Sequence, residues 1–219
     1  MLDCVELQTT EHPNATVIVL HGLGADGYDF VPIVKEFESL GAPRARYVFP
    51  HAPQMPVTIN NGYVMRAWYD ILGSDLVRRE DERGLRQSQA AVEALIEREV
   101  ARGVPRRRIV LTGFSQGGAI TLQVGLRQPE PLAGLIVLSS YLPLSATLAA
   151  ELMPAAKGTP IFMAHGTQDP VVPLERGTQS RDQLQHLGLP VEWHDYPMAH
   201  SVCGEEVEAI AAFLKRVLG

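Results

Sequence analysis

Four stretches of the chain are apolar with almost no interruption: Thr16-Val17-Ile18-Val19-Leu20, Ile109-Val110-Leu111, Leu135-Ile136-Val137-Leu138 and Ile161-Phe162-Met163-Ala164. A strand with one wet face alternates apolar and polar positions. Runs that lack the polar positions predict strands buried on both faces of a parallel sheet. Tyr47-Val48-Phe49, closed by Pro50, and Val191-Glu192-Trp193-His194-Asp195-Tyr196 add two strands, and residues 5–10 read as a short edge strand. Between them the period changes. Phe30, Val31, Val34 and Phe37 recur at helical spacing and stop near Gly41-Ala42-Pro43. Leu85, Val92, Leu95, Ile96 and Val100 predict an amphipathic helix with its charges outward. A helix through Leu184 and Leu187 stops at Gly188 and Pro190, and Val207, Ile210, Phe213, Leu214 and Val217 form the last one. Strands alternating with helices predict an α/β fold: a mainly parallel, twisted sheet with helices on both faces. Over residues 51–81 the periodicity disappears, and Trp68, Tyr69, Ile71 and Leu72 are embedded among prolines and glycines. A loop of this length inside a compact domain is usually functional.

Composition narrows the class. At 219 residues and 46% hydrophobic, the chain is expected to form one domain over 1–219 with no separate cap domain. A net charge of −6 excludes a nucleic-acid partner, which would need a basic face. Arg106-Arg107-Arg108 reads as a solvated strand entrance, and Arg78-Arg79-Glu80-Asp81-Glu82-Arg83 as a solvated loop and helix start. The first residues lack a basic n-region, and no apolar run approaches the ~18 residues of a membrane span. A cytoplasmic protein without integral membrane association is expected. Cys4 and Cys203 have no metal-ligand spacing, so no metal is expected, and Cys203 reads as a buried small hydrophobe.

The chemistry gathers at Gly113-Phe114-Ser115-Gln116-Gly117, which follows a strand and precedes a small-residue helix. This is the G-x-S-x-G nucleophile elbow, in which a sharp strand–turn–helix exposes the serine hydroxyl. At roughly 7% each of Gly and Ser, chance yields the pattern in about one chain in fifteen of this length, so it needs partners. A serine hydroxyl requires a base, and the base an acid that fixes its tautomer; on this architecture they follow in the order Ser, acid, His. Of the later histidines, His165 precedes the acid, His186 falls in a helix and His194 within a strand. His200 follows the last strand, and Asp169 ends an earlier one just before Pro170. Ser115, Asp169 and His200 thus all fall off the carboxyl ends of strands, where open α/β sheets place their clefts. Asp169 is equally a natural turn-former, and His200 a plain loop residue; jointly the three specify a triad. The oxyanion hole is assigned to the backbone N–H of Gln116 and to that of Leu23 in His21-Gly22-Leu23-Gly24, with Gly24 as the alternative. A glycine-rich loop can also cradle phosphate, but neither the dinucleotide spacing nor a P-loop lysine is present. His21 and His51 read as structural groups beside the site. Hydrolysis is expected to fall on acidification, because protonated His200 is no base.

Several motifs occur together and in one order: Leu20-His21-Gly22-Leu23-Gly24, Phe49-Pro50-His51-Ala52-Pro53, Ala67-Trp68-Tyr69-Asp70-Ile71, Gly113-Phe114-Ser115-Gln116-Gly117-Gly118, His165-Gly166 with Asp169-Pro170-Val171-Val172-Pro173, and His200-Ser201. Across most of its length the chain therefore resembles the small carboxylesterases and acyl-protein thioesterases of the α/β-hydrolase superfamily, nearest their bacterial carboxylesterase branch. The resemblance implies an α/β-hydrolase fold, Ser115 as nucleophile, Asp169 as acid, His200 as base, and the Leu23 and Gln116 amides as oxyanion hole. It further implies that the loop carrying Trp68, Tyr69, Ile71 and Leu72 borders an apolar acyl groove, that no metal or organic cofactor is used, and that a homodimer is possible. The expected partner is a small-molecule ester or thioester. Carboxylester hydrolysis on short to medium acyl chains is the leading expectation. Thioester cleavage on acylated proteins, lysophospholipid hydrolysis, and a non-catalytic binding role on the same fold are the alternatives.

Overall fold

Alternate residues of the central strands feed two different cores. Ile18 and Leu20, Ile109 and Leu111, Leu135 and Val137, and Ile161 and Met163 pack on one side of the sheet. Val17 and Val19, Val110, Ile136 and Leu138, and Phe162 and Ala164 pack on the other. This is what an uninterrupted apolar run requires, since each fully buried aliphatic side chain contributes roughly 1.5–3 kcal/mol.

The computed structural model describes residues 1–73 and 80–219. In chain order the elements are β1 (Cys4–Gln8), β2 (Thr16–Leu20), α1 (Ile33–Ser39), β3 (Arg46–Pro50), β4 (Gln54–Val57), β5 (Tyr63–Arg66), α2 (Glu82–Ala101), β6 (Ile109–Phe114), α3 (Gln116–Gly125), β7 (Gly134–Leu138), α4 (Leu148–Glu151), β8 (Ile161–Gly166), α5 (Leu174–His186), β9 (Val191–Tyr196) and α6 (Gly204–Leu218). The main sheet runs β1-β3-β2-β6-β7-β8-β9. Only its β1–β3 pair is antiparallel; the other five pairs are parallel. Leu85 and Leu95 of α2, Ile120 and Leu122 of α3, and Leu184 of α5 cover one face. Val34 and Phe37 of α1 and Ile210, Phe213 and Leu214 of α6 cover the other. The architecture is the mainly parallel α/β sheet with helices on both faces that the strand and helix periods predict, as the resemblance also implies.

Three local expectations change. The first helix starts at Ile33, after Phe30 and Val31, because Pro32 biases the residue before it away from helical backbone. The aperiodic segment contains a hairpin, β4 with β5, which pairs Val57 with Tyr63. Its turn uses two left-handed residues, Asn61 (φ 54°) and Gly62 (φ 75°), the Asn-Gly signature of hairpins. Pro56 sits in this isolated ribbon, where a missing N–H is tolerated. The charged cluster before α2 is also more than a solvated loop. Arg78 and Arg79 lie outside the described residues, whereas Asp81 caps α2 by accepting from Gly84 N (3.0 Å) and also accepts from Asp70 N (2.9 Å). Glu80 accepts from Leu144 N at 2.9 Å.

Candidate active site

At the end of β6 the chain turns through Ser115 at φ 54°, ψ −117°, backbone that costs a non-glycine residue roughly 1–3 kcal/mol. The surroundings hold it there. Ser115 N donates to Leu138 O (2.8 Å), and Ser115 O accepts from Ser140 Oγ (2.6 Å) and Ala119 N (3.2 Å). The flanking glycines are steric necessities. A Cβ on Gly113 would lie 2.2 Å from Gly117 C, and one on Gly117 would lie 2.2 Å from Leu20 O. Gln116 opens α3, so its amide has no intrahelical acceptor.

The acid and the base meet from two loops. Asp169 has a fully buried side chain whose Oδ1 accepts from Val171 N (2.8 Å) and Val172 N (2.9 Å). Its other oxygen, Oδ2, accepts from His200 Nδ1 at 2.7 Å. β8 continues through His165 and Gly166, so Asp169 stands three residues past the strand end instead of closing it. His165 donates from Nε2 to Val172 O (2.8 Å) and lies 3.6 Å from Asp169 Oδ2. The His200 ring packs on Phe114 with centroids 4.7 Å apart, and His200 and Ser115 line one cavity.

Leu23 also lines that cavity. The alternative donor, Gly24 N, is committed to Arg66 O at 2.9 Å. His21 braces the loop: its Nδ1–H donates to Gly22 O (2.7 Å), its Nε2 accepts from Ala52 N (3.0 Å), and its carbonyl accepts from Trp68 Nε1 (2.8 Å). Burial pushes the His21 pKa down, which fits this neutral tautomer. His51 Nδ1 accepts from Gly27 N at 3.0 Å, so it too is a structural group. The buried Gln116 side chain joins the elbow to the next loop. Its Oε1 accepts from Trp68 N (2.8 Å) and its Nε2 donates to Tyr69 O (2.7 Å).

The cavity measures about 470 Å³, within the range of small-ligand sites. Tyr69 and Ile71 lie on its wall, but Trp68 and Leu72 do not. Trp68 is 1% exposed, because its indole N–H turns inward to the buried His21 carbonyl. Leu72 is exposed, since Ile71 bridges Glu80 and successive residues of extended backbone face opposite ways. The groove expectation is thus corrected at these two positions.

Residues 3–218 match the phospholipase/carboxylesterase family of α/β-hydrolases. The chain belongs to that family. It is 47% identical over 210 residues to acyl-protein thioesterase 1 of Neurospora crassa, covering 91% of this chain and 85% of the relative. Among solved structures it is similar to Arabidopsis thaliana SOBER1 (TM-score 0.88, 35% identity, 94% of this chain and 99% of that one). It is also similar to Zea mays acyl-protein thioesterase 2 (TM-score 0.87, 25% identity, 100% of both chains). The chain is therefore a serine hydrolase by family.

The family match spans the elbow and the loops carrying Asp169 and His200. It does not single out every wall residue. Ile59 and Asn60 of the hairpin turn, Tyr141, and Val171 and Val172 also line the cavity, beyond the site residues that the sequence indicates. Only the last two had a local signal, by following Asp169 directly. Cys203 is half-buried at the N-cap of α6 rather than buried. No helix among the described residues is long and apolar enough to cross a membrane.

Proposed function

We propose that the protein hydrolyses carboxylic esters of short to medium acyl chains through an acyl-serine intermediate. The observation that carries this reading is the 2.7 Å contact between His200 Nδ1 and Asp169 Oδ2, on the cavity that Ser115 enters from a strained elbow. With Nδ1–H held by the carboxylate, the other ring nitrogen is left basic. It takes the Ser115 proton as Oγ attacks the acyl carbonyl. The Leu23 and Gln116 amides receive the oxyanion, and imidazolium returns the proton to the leaving alcohol. Water, deprotonated by His200, then attacks the acyl-serine carbonyl and releases the acid. Asp169 keeps the ring oriented and stabilises the imidazolium. Tyr69 and Ile71 border the acyl group, while Trp68 acts from behind the wall. The scheme draws on no metal or organic cofactor.

A second reading, thioester cleavage on acylated proteins, is favoured by the names of the fungal and plant relatives. It uses the same residues with a thiol as leaving group. Labelling with a serine-directed phosphonate, read by intact mass, should modify the wild type once and leave Ser115→Ala unmodified. An unlabelled wild type would overturn the reading. Rates on matched ester and thioester series then separate the two substrates.

A further inference from the structure

Tyr69 and Tyr141 come from separate loops, yet their phenolic oxygens lie 2.7 Å apart. Both side chains are on the cavity wall and at most 5% exposed. Each loop is anchored to the elbow. Tyr69 O accepts from Gln116 Nε2, and Ser140, next to Tyr141, donates from Oγ to Ser115 O. The phenols are thereby fixed relative to Ser115.

Two hydroxyls that share one hydrogen bond leave one proton uncommitted, whichever of them donates. Among the described residues neither phenol has a second hydrogen-bond partner. The Arg176 guanidinium, 4.7 Å over the Tyr141 ring, carries donors only, and the Glu80 carboxyl takes the Leu144 amide. Burial raises the pKa of both phenols, so both remain protonated donors at neutral pH. A buried O–H without an acceptor is unfavourable, and a bound group that brings an oxygen to it gains what an alkyl group does not.

We propose that the Tyr69–Tyr141 pair is a specificity-determining donor, selecting acyl groups with an oxo or hydroxyl oxygen along the chain over plain alkyl acyl groups. This rests on the acyl-serine reading of the cavity. The test compares nitrophenyl esters of 4-oxopentanoate, 5-oxohexanoate and 6-oxoheptanoate with their plain homologues. At one length or more, wild-type kcat/KM should favour the oxo ester about tenfold, the scale of one neutral hydrogen bond. In the double variant Tyr69→Phe/Tyr141→Phe the ratio should return to near one. In the single variants, the phenol whose proton faces the cavity should lose the larger share. A wild-type ratio near one at every length overturns the proposal, as does a ratio that survives the double variant. Calorimetric binding of the free acids to Ser115→Ala reads the same preference without turnover. A wild type that cleaves no ester would therefore sink the hydrolase reading alone. The pair would then stand or fall on whether Ser115→Ala binds the oxo acids more tightly and loses that preference with both hydroxyls removed.

Discussion

At the elbow, a methyl group added to Gly113 or Gly117 meets backbone at 2.2 Å; at the hairpin tip, one added to Gly62 meets nothing within 4 Å. Both regions serve the same cavity, through Ser115 and Gln116 on one side and Ile59 and Asn60 on the other. The elbow is enclosed by β2, β7 and its own helix, and its strained residue is held by two backbone–backbone hydrogen bonds and one from the Ser140 hydroxyl. The hairpin is an isolated two-stranded ribbon with Tyr63 and Val64 exposed, a type of element that is marginal by itself. It is fastened to the rest through a few hydrogen bonds, including Gly24 N to Arg66 O and Arg66 Nη1 to Ala52 O. The difference separates two tasks. In the proposed mechanism the reacting atoms need fixed positions, whereas the hairpin side of the wall can vary without disturbing them.

The sharpest way to break this comparison is Ser115→Ala. Ester hydrolysis should fall by at least about 10⁴-fold, as losses of catalytic serines do, while the thermal unfolding midpoint stays within a few degrees. Retention of a tenth of the activity would remove Ser115 from the chemistry. Gly117→Ala comes next. Because the collision is with Leu20 O and His21 O, a loss of about 3 kcal/mol or more is expected, visible as a collapse of the folded fraction in a urea titration.

The base side of the site can be compared with the elbow through Glu206, in the first turn of α6 just beyond the His200 loop. Its side chain is fully buried, and desolvation raises its pKa to about 8, against a lesser lowering by the Cys203 amide. The fold thus holds the neutral form while the unfolded chain ionises near 4.5. Its contribution is fully present below pH 4.5 and lost as pH rises toward 8. Glu206→Gln, which stays neutral, should gain on the wild type between pH 5 and pH 8 by on the order of 3 kcal/mol. At roughly 2–4 °C per kcal/mol this is a widening gap in unfolding midpoint; a constant gap would refute it.

A smaller effect is expected where the two regions are tied together. Gln116→Ala leaves the buried Trp68 N–H and Tyr69 carbonyl without their partner, a cost of about 1–3 kcal/mol. Limited proteolysis within 51–73 should accelerate relative to cleavage elsewhere; unchanged relative rates would show that the tie is idle. Gly62→Ala is expected to be smallest, about 1 kcal/mol from the left-handed backbone alone, with ester hydrolysis within twofold of wild type. A loss as large as that of Gly117→Ala would erase the distinction between elbow and hairpin.

The same division governs what could be read from the residues. Strand burial, the elbow and the order of Ser115, Asp169 and His200 were legible, because close backbone approach demands glycine and unbroken apolar runs demand two-sided burial. The hairpin was not, since Pro56 and the exposed Tyr63 and Val64 hide its alternation, although Asn61-Gly62 marked its turn. The inward turn of Trp68 depends on an acceptor 47 positions away in sequence, and the Tyr69–Tyr141 bond spans 72. Contacts of that kind leave no local pattern. The bracing role of half-buried Glu80-Asp81 was hidden in the same way, inside what looked like an ordinary charged run.

The glycine collisions also divide the chain by how it could be altered in steps. A side chain at Gly125 would strike Leu135, and one at Gly134 would strike Phe213. Each obstruction is itself replaceable, so a trimmed partner opens a two-step route. Gly113 and Gly117 face main chain, which no second exchange can shorten. Libraries aimed at new substrates therefore have pairwise routes open at 125/135 and 134/213, room at the hairpin tip at the modest cost of its left-handed backbone, and none at 113 or 117.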